Sequence, residues 1–152
     1  MNETVLFGSS FETSLRILLL LDELHLALDE TQICCIDFMA IYGADFDLLD
    51  ENLHGNGLFR FSEFSAKSLV IAETIKHLVV KSLIHFVSTQ TGYSYAINDA
   101  GRNAIARISD SYEKEYRIAV RAVQDAFPDF HSGQMQQKIF STTISSLEVD
   151  DE

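Results

Sequence analysis

Few of the residue types that carry catalysis stand in a catalytic pattern in this sequence. The five histidines are scattered at positions 25, 54, 77, 85 and 131, and no G-x-S-x-G or H-E-x-x-H motif accompanies them. Asp22 and His25 lie three residues apart on a predicted helix, which is a common spacing of surface neighbours. The sequence therefore favours a binding role without catalytic residues, and a small enzyme that uses Asp22 or His25 is the weakest alternative.

One acidic segment invites comparison with a calcium-binding loop. Asp45, Asp47 and Asp50 are spaced in a way that resembles the ligands of an EF-hand. A loop that starts at Asp45 would need glycine at position 50 and glutamate at position 56, where this chain has Asp50 and Asn56. We therefore expect a solvated acidic loop, no metal site and no cofactor.

Charge is distributed unevenly along the chain, and this limits what the chain can bind. Residues 1–59 carry a net charge of −10, residues 60–121 carry +3 and residues 122–152 carry −5, which together make the total of −12. Phosphate binding needs clustered cations, so only the middle third could face nucleic acid. The acidic flanks favour a basic protein partner.

Hydrophobic periodicity predicts a mainly α-helical chain with one small β-hairpin. The predicted helices cover 11–27, 31–42, 62 or 65 to 81, 99–127 and 133–147, and the predicted strands cover 83–87 and 95–97. Thr31, Asp99 and Ser132 are the predicted N-caps of the second, fourth and last helices. The first helix is apolar on more than one face, so we expect it to be central. Residues 44–61 show no period and are predicted to form a long connection.

Three helices followed by a hairpin is the element order of a winged helix-turn-helix. We therefore predict a winged-helix domain over residues 1–98. A helical extension over residues 99–147 would consist of a long helix and a C-terminal helix. Residues 148–152 would form a disordered acidic tail.

Composition predicts a cytoplasmic protein. Cys34 and Cys35 are adjacent, and no C-x-x-C motif accompanies them, so we expect buried free thiols in a reducing compartment. No positively charged start precedes an apolar run, and the longest apolar cluster, at 17–21, is far shorter than a membrane span. We expect neither a signal peptide nor a contact with a membrane.

The third helix holds the candidate nucleic-acid contacts, because a winged helix keeps its recognition helix there. These candidates are Arg60, Lys67, Lys76 and Lys81. The start of the helix lacks the arginine, asparagine or glutamine that usually reads base edges. The wing tip at 88–93 has no cation to follow phosphates. A buried helix with solvated lysines is therefore the better-supported interpretation.

A basic stripe on the predicted long helix is the first candidate partner contact. Arg107, Lys114 and Arg121 are spaced seven residues apart, with Arg117 between the last two, and seven residues make two helical turns. The stripe could contact phosphate or an acidic protein surface. The alternative is a solvated face whose arginines form ion pairs within the chain, for example with Glu113.

The last helix is the second candidate partner contact. Ile139, Phe140 and Ile144 are apolar at helical spacing. They could dock on another protein. Burial in the core of the chain itself is the alternative.

Over about residues 11–118 the chain resembles a known family. The likeness is carried by Leu15-Arg16-Ile17-Leu18-Leu19-Leu20-Leu21, Cys35-Ile36-Asp37-Phe38, Tyr42-Gly43-Ala44-Asp45-Phe46, Leu53-His54, Tyr95-Ala96-Ile97-Asn98 and Tyr112. This pattern is similar to the middle-component proteins of bacterial three-component ABC-ATPase conflict systems, including those of Lamassu-type defence. The resemblance implies a small winged-helix adaptor that accompanies an SMC-like or RecF-like ATPase and an effector, often a nuclease. Asp37, Asp45, Phe46 and Tyr112 match the family, and we interpret them as structural residues.

The resemblance and the charge pattern lead to the same functional prediction. We predict a non-enzymatic adaptor subunit of an anti-phage or anti-plasmid defence complex. It would bridge an SMC-like ABC ATPase and an effector nuclease, and would meet DNA mainly through that complex. The alternative is a homodimeric winged-helix transcriptional regulator with the long helix at 99–127 as its dimer seam.

Overall fold

Helices make up most of the chain, and one hairpin interrupts them. The structure, a computed structural model, describes residues 10–57 and 60–150. The α-helices and strands in these ranges are α1 (Ser10–Leu24), α2 (Glu30–Ile41), α3 (Phe64–Val80), β1 (Ile84–Thr89), β2 (Gly92–Ile97), α4 (Asp99–Ile105), α5 (Ser111–Ala126) and α6 (Ser132–Asp150). Short 3-10 helices at Gly43–Phe46 and Arg60–Glu63 lie at the two ends of the connection between α2 and α3. The prediction of a mainly helical chain with a small hairpin is confirmed. None of the helices in these ranges is long and apolar enough to cross a membrane.

The core is built around α1 and α2, whose apolar side chains are buried on nearly every side. Ile17–Leu21 of α1 and Ile33–Ile41 of α2 are buried throughout. A helix that is apolar all round must be covered all round, and α3, α5 and α6 supply most of the cover. The predicted central position of the first helix is confirmed. Cys34 and Cys35 are free and buried as predicted, and burial raises the pKa of both thiols to about 12.

Two predicted N-caps are wrong by one or two residues, because in each helix a residue further upstream makes the capping hydrogen bond. Asp29 caps α2, since its side chain accepts from the Gln32 amide at 2.7 Å while the Gln32 side chain accepts from the Asp29 amide at 2.9 Å. This reciprocal capping box places Thr31 inside the helix. Asn98 caps α4 through the Gly101 amide, so Asp99 is the first helical residue.

The predicted long helix at 99–127 is wrong, because the chain forms two helices there. α4 ends at Ile105 and α5 begins at Ser111. Between them the side chain of Asp110 accepts a hydrogen bond from the Glu113 amide at 2.8 Å. Aspartate is among the best N-caps, so Asp110 starts a new helix at this point. The break leaves residues 106–110 as a turn.

The last helix is longer at its end than predicted. α6 begins at Ser132, so the predicted cap Ser132 lies within it, and the ring Nδ1 of His131 accepts from the Gln134 amide at 3.2 Å. The helix continues to Asp150. Three of the five residues assigned to a disordered tail are therefore helical, and residues 151–152 lie outside the described residues.

The hairpin is closed by a two-residue turn and is joined to the helices at its base. β1 and β2 are antiparallel, with Ile84 opposite Ile97 and Phe86 opposite Tyr95. Leu28, in the link between α1 and α2, exchanges two backbone hydrogen bonds with Tyr95 at 3.0 and 2.8 Å. Both strands are longer than predicted. The element order agrees with the winged-helix prediction, which stays a prediction.

Candidate functional site

A buried ion pair joins α1 to α2 near the centre of the molecule. Arg16 donates from Nε and Nη2 to the two carboxylate oxygens of Asp37 at 2.9 and 3.3 Å. Tyr116 of α5 donates its hydroxyl to Asp37 Oδ1 at 2.7 Å. Arg16 Nη1 also donates to Glu12, one turn earlier on α1, at 3.3 Å. One carboxylate therefore connects three helices.

The pair keeps Asp37 charged although its side chain is almost completely buried. Burial alone would raise the pKa of a carboxyl group. The charge of Arg16 and the hydrogen bonds from Arg16 and Tyr116 outweigh burial, and they hold the pKa of Asp37 below its usual value. Burial and the charge of Asp37 raise the pKa of Tyr116, so its hydroxyl keeps the proton that it donates.

A cleft of about 450 Å³ lies beside this ion pair. The cleft is lined by Glu12, Thr13, Arg16, Leu53, His54, Lys67, Val70, Ile71 and Tyr112. His54 Nε2 is 2.7 Å from the hydroxyl oxygen of Tyr112 and 3.5 Å from Glu12 Oε1. Through His54, the loop that follows α2 is tied to both α1 and α5.

Burial and nearby charges set the protonation states of the two hydrogen-bonded side chains in the cleft, His54 and Tyr112. Burial lowers the pKa of His54 and the charge of Arg16 lowers it further, which outweighs the opposing effects of Asp37 and Glu12. Burial also raises the pKa of Tyr112. A neutral imidazole and a protonated phenol therefore share one hydrogen bond at neutral pH. Among the described residues that line the cleft there is neither a serine nor a cysteine nucleophile.

In the acidic loop, which was compared with a calcium-binding loop, the carboxylate of Asp45 binds an arginine. Arg60 donates from Nε and Nη2 to the carboxylate of Asp45 at 2.7 and 3.0 Å. Asn52 donates to the same carboxylate at 3.0 Å. Across residues 10–57 and 60–150, no group of three or more histidine, cysteine, aspartate or glutamate side chains is arranged to hold a metal ion. Arg60, a candidate nucleic-acid contact, is engaged by Asp45.

The remaining nucleic-acid candidates lie on α3 or directly after it, near acidic residues and exposed apolar side chains. Lys67 pairs with Glu63 at 3.7 Å and Lys76 pairs with Glu73 at 3.6 Å. Exposed pairs such as these contribute little to stability, but each glutamate lowers the net positive charge that the long phosphate backbone of a duplex would meet. Lys81 is exposed just after the helix. The surface of α3 also exposes Leu69, Val70 and Val80.

Two arginines of the predicted stripe, Arg117 and Arg121, form ion pairs within the chain. Arg117 donates to Asp22 at 2.9 Å and to Glu23 at 3.1 Å, both on α1, and also to Glu113. Arg121 pairs with Glu23 at 3.1 Å. The pair with Glu113 is one that the alternative interpretation of the stripe named, whereas the pairs that hold α5 against α1 were not expected.

Arg107 and Lys114, the other two residues of the stripe, do not continue it, because the prediction required one unbroken helix. Arg107 lies in the turn between α4 and α5, so its seven-residue spacing to Lys114 does not follow one helix. Lys114 is exposed on α5. The prediction of one continuous basic stripe from 107 to 121 is wrong because the helix is interrupted at Asp110.

The candidate contacts on α6 divide into one core residue and two surface residues. Ile139 is buried against the core. Phe140 is 65% exposed and Ile144 is 39% exposed, and Leu147 extends the same exposed row. We call Phe140, Ile144 and Leu147 the C-terminal surface. It borders a groove of about 510 Å³ whose opposite wall includes Phe64 at the start of α3.

Sequence reasoning missed a second exposed apolar surface, where α3 meets the hairpin. Val80 is 82% exposed, and Phe86 and Tyr93 are each more than half exposed with ring centroids 5.4 Å apart. They border a groove of about 300 Å³. We call Val80, Phe86 and Tyr93 the hairpin surface. The available signal was the alternation in both strands, which places Phe86 and Tyr95 on one face.

The ion pair between Arg16 and Asp37 is expected to contribute strongly to stability. Asp37→Asn should lower the free energy of unfolding by about 3 kcal/mol, because it leaves a buried guanidinium without its partner. Urea unfolding of Asp37→Asn, Arg16→Met and the double variant measures the coupling. The double variant should lose less than the sum of the two single losses, and strictly additive losses would show that the pair is not coupled.

Histidine 54 is expected to make stability depend on pH. Because the pKa of His54 is lower in the folded state than the usual 6.5, the unfolded chain binds the extra proton first as pH falls. The free energy of unfolding should therefore decrease as pH falls below 6.5, by up to about 1.4 kcal/mol per pH unit. His54→Gln should reduce this slope, whereas His77→Gln, which removes an exposed histidine, is the matched control. An unchanged slope in His54→Gln would contradict the assignment.

Comparison with known proteins gives one match, which covers most of the chain. The family model described as ABC-three component (ABC-3C) system Middle Component 2 matches residues 6–148. No curated protein and no solved structure matches the chain. The resemblance to middle-component proteins that the sequence motifs indicated is confirmed.

Proposed function

We propose that this chain, which belongs to the ABC-three component (ABC-3C) system Middle Component 2 family, acts as a non-enzymatic adaptor. It would bridge an SMC-like or RecF-like ABC ATPase and an effector nuclease. The setting would be an anti-phage or anti-plasmid defence complex of the Lamassu type in the cytoplasm. The observation that carries the proposal is the presence of two separate exposed apolar surfaces, the hairpin surface and the C-terminal surface.

The two surfaces are associated with opposite ends of α3, which suits a protein that holds two partners. The groove beside the C-terminal surface includes Phe64, the first residue of α3, and the hairpin surface includes Val80, the last residue. At a rise of 1.5 Å per residue these two positions are about 24 Å apart. Contiguous exposed apolar surface often marks a protein interface. Two such surfaces at this separation support simultaneous binding of two proteins.

The character of α3 supports indirect rather than direct contact with DNA. Its exposed face carries Leu69, Val70 and Val80, while Lys67 and Lys76 have glutamate neighbours. Apolar side chains of this size gain nothing from the phosphate backbone, which supplies most of the affinity of DNA-binding proteins. An ATPase partner would therefore provide the DNA contact, and this chain would connect DNA binding by the ATPase to the effector.

The alternative, a homodimeric regulator, has less support in the packing of α5. Its proposed dimer seam needs the apolar residues of one long helix to face a second copy. In this chain Tyr116, Ala119, Val120 and Val123 are completely buried in its own core. The apolar side of α5 that a dimer would need is therefore already buried inside the monomer. The adaptor proposal does not require a dimer contact through α5.

The mechanism that we propose for the adaptor is steric. The chain would hold the effector inactive on the ATPase until DNA engagement rearranges the contacts between them. A partner shifts the equilibrium between two states of the complex when it binds one state more tightly than the other.

Substitutions at the two surfaces are expected to separate the two partners. In co-purification with the other two components of its system, Val80→Glu should lose one partner and Phe140→Glu the other. Burying the new carboxylate should weaken either contact by at least about tenfold. The matched control is Ile118→Glu, which places the same charge on an exposed isoleucine of α5. Loss of both partners in both variants, with folding intact, would contradict two separate surfaces, and a wild-type chain that binds neither component would overturn the adaptor proposal.

Direct DNA binding is expected to be weak and insensitive to Lys76 of α3 and to Lys81, which follows the helix. Fluorescence anisotropy with a 30-base-pair duplex should show only a small, salt-sensitive signal for the purified chain. Lys76→Ala combined with Lys81→Ala should change it little. Tight, sequence-specific binding to the promoter of its own gene would instead favour the regulator.

A further inference from the structure

The hairpin surface borders a strand edge that has no partner in the described residues. β1 pairs with β2 along one side. The far side of β2 meets Leu28 at Tyr95. The far side of β1 meets no other strand within residues 10–57 and 60–150. A strand edge presents a row of backbone donors and acceptors to which another strand can add.

The register identifies the backbone groups that point away from the hairpin. Thr89 and Gly92 flank a two-residue turn, so they form a hydrogen-bonded pair of the antiparallel ladder. Hydrogen-bonded and non-hydrogen-bonded pairs then alternate along the strands. Phe86 and Ser88 fall in non-hydrogen-bonded pairs, with Tyr95 and Tyr93 respectively. Their amide and carbonyl groups therefore face outward along the open edge.

This edge lacks the features that normally prevent strand addition. Proteins usually protect edge strands with lysine, other charges or proline. Residues 82–98 contain no lysine, arginine, aspartate, glutamate or proline. The edge instead carries Phe86 and Val87, both more than two-fifths exposed. The backbone groups and the apolar side chains are thus available together.

The charge around the hairpin selects the kind of segment that can approach. The lysines next to the hairpin surface are Lys76, which has Glu73 at 3.6 Å, and Lys81, whereas the chain as a whole carries a net charge of −12. Lys76 lines the groove of the hairpin surface, and Lys81 lies exposed beside Val80. An acidic segment is attracted to this part of the molecule and repelled by the remainder. A second copy would bring the same positive patch against this one.

We propose that the outer edge of β1 receives an extended, acidic segment of a partner protein as a third strand of the sheet. Alternate side chains of that segment rest on Phe86 and Val80, and its carboxylates approach Lys76 and Lys81. This inference rests on the proposed adaptor function and identifies how one of the two partners is held. Backbone hydrogen bonds supply affinity in this mode, and the flanking groove supplies specificity.

A proline substitution tests the role of the backbone directly. Ser88→Pro removes an amide that points outward, so it should leave the pairing with β2 intact, because proline is tolerated on edge strands. We expect it to weaken binding of the partner that is lost in Val80→Glu by about tenfold or more, through the lost hydrogen bond and the blocked edge. The control Ser88→Ala keeps the amide and should bind within about twofold of the wild type. Affinities are measured with the purified partner, and a thermal melt checks folding.

Hydrogen exchange on the wild-type complex provides a second measurement that needs no folded variant. The amides of Phe86 and Ser88 should exchange more slowly once the partner binds, whereas the exposed turn at Gln90 and Thr91 should change less. Unchanged exchange at 84–89 in a formed complex would overturn the strand-addition proposal, even if Ser88→Pro proved unstable.

The acidic character of the partner segment is tested by reversing the charge of the two lysines next to the hairpin surface. Lys76→Glu combined with Lys81→Glu should weaken the same partner, and added salt should reduce the difference between this variant and the wild type. An unaffected partner would overturn the acidic character of the segment.

The outcomes also separate this inference from the function on which it rests. If both partners bind the wild type and Ser88→Pro equally well, strand addition is wrong and the adaptor stands. If neither partner binds the wild type, the adaptor proposal itself fails. If light scattering shows that the isolated chain is a dimer and Ser88→Pro a monomer, the edge pairs with a second copy and the proposed partner segment is overturned.

Discussion

The charge of Asp37 is the constraint around which the helices are arranged. A buried carboxylate is costly unless its hydrogen bonds and its charge are both compensated. Arg16 provides the opposite charge from α1, and Tyr116 provides a hydroxyl from α5. Compensation requires all three helices to be in position at once, so one side chain fixes the relative placement of α1, α2 and α5. The surrounding aliphatic core supplies the driving force for burial, and this cluster selects the arrangement.

The use of arginines in ion pairs within the chain also explains why the exposed surfaces available for binding are apolar. Arg16 and Arg60 neutralise carboxylates in or near the core, and Arg117 and Arg121 hold α1 to α5. Few cations are therefore left to form a contiguous basic face. The adaptor proposal accordingly assigns partner binding to Val80, Phe86, Tyr93 and the exposed row on α6, which are exposed apolar side chains. This division favours contact with protein over contact with a phosphate backbone.

Sequence periodicity predicted the existence and order of the elements, because long apolar patterns specify helices and strands. It failed where one polar side chain decided between local alternatives. Asp110 interrupts a pattern that is otherwise continuous from α4 to α5, and the basic stripe was wrong for the same reason. The pairing of His54 with Tyr112 spans 58 positions, which periodicity does not address. The exposure of Phe86 was also missed, since an aromatic residue in a strand is usually part of a core.

The placement of α3 relates the two proposed contacts to each other mechanically. Ile71, Thr74, Ile75 and Leu78 bury the middle and later turns of α3 against the core, which holds the helix rigidly. Its two ends reach the groove of the C-terminal surface and the hairpin surface. A rigid helix of this length keeps two bound proteins at a fixed separation and orientation, whereas a flexible linker would not. In the proposed steric mechanism, a conformational change in one partner would therefore act on the contact at the other end instead of being absorbed within α3.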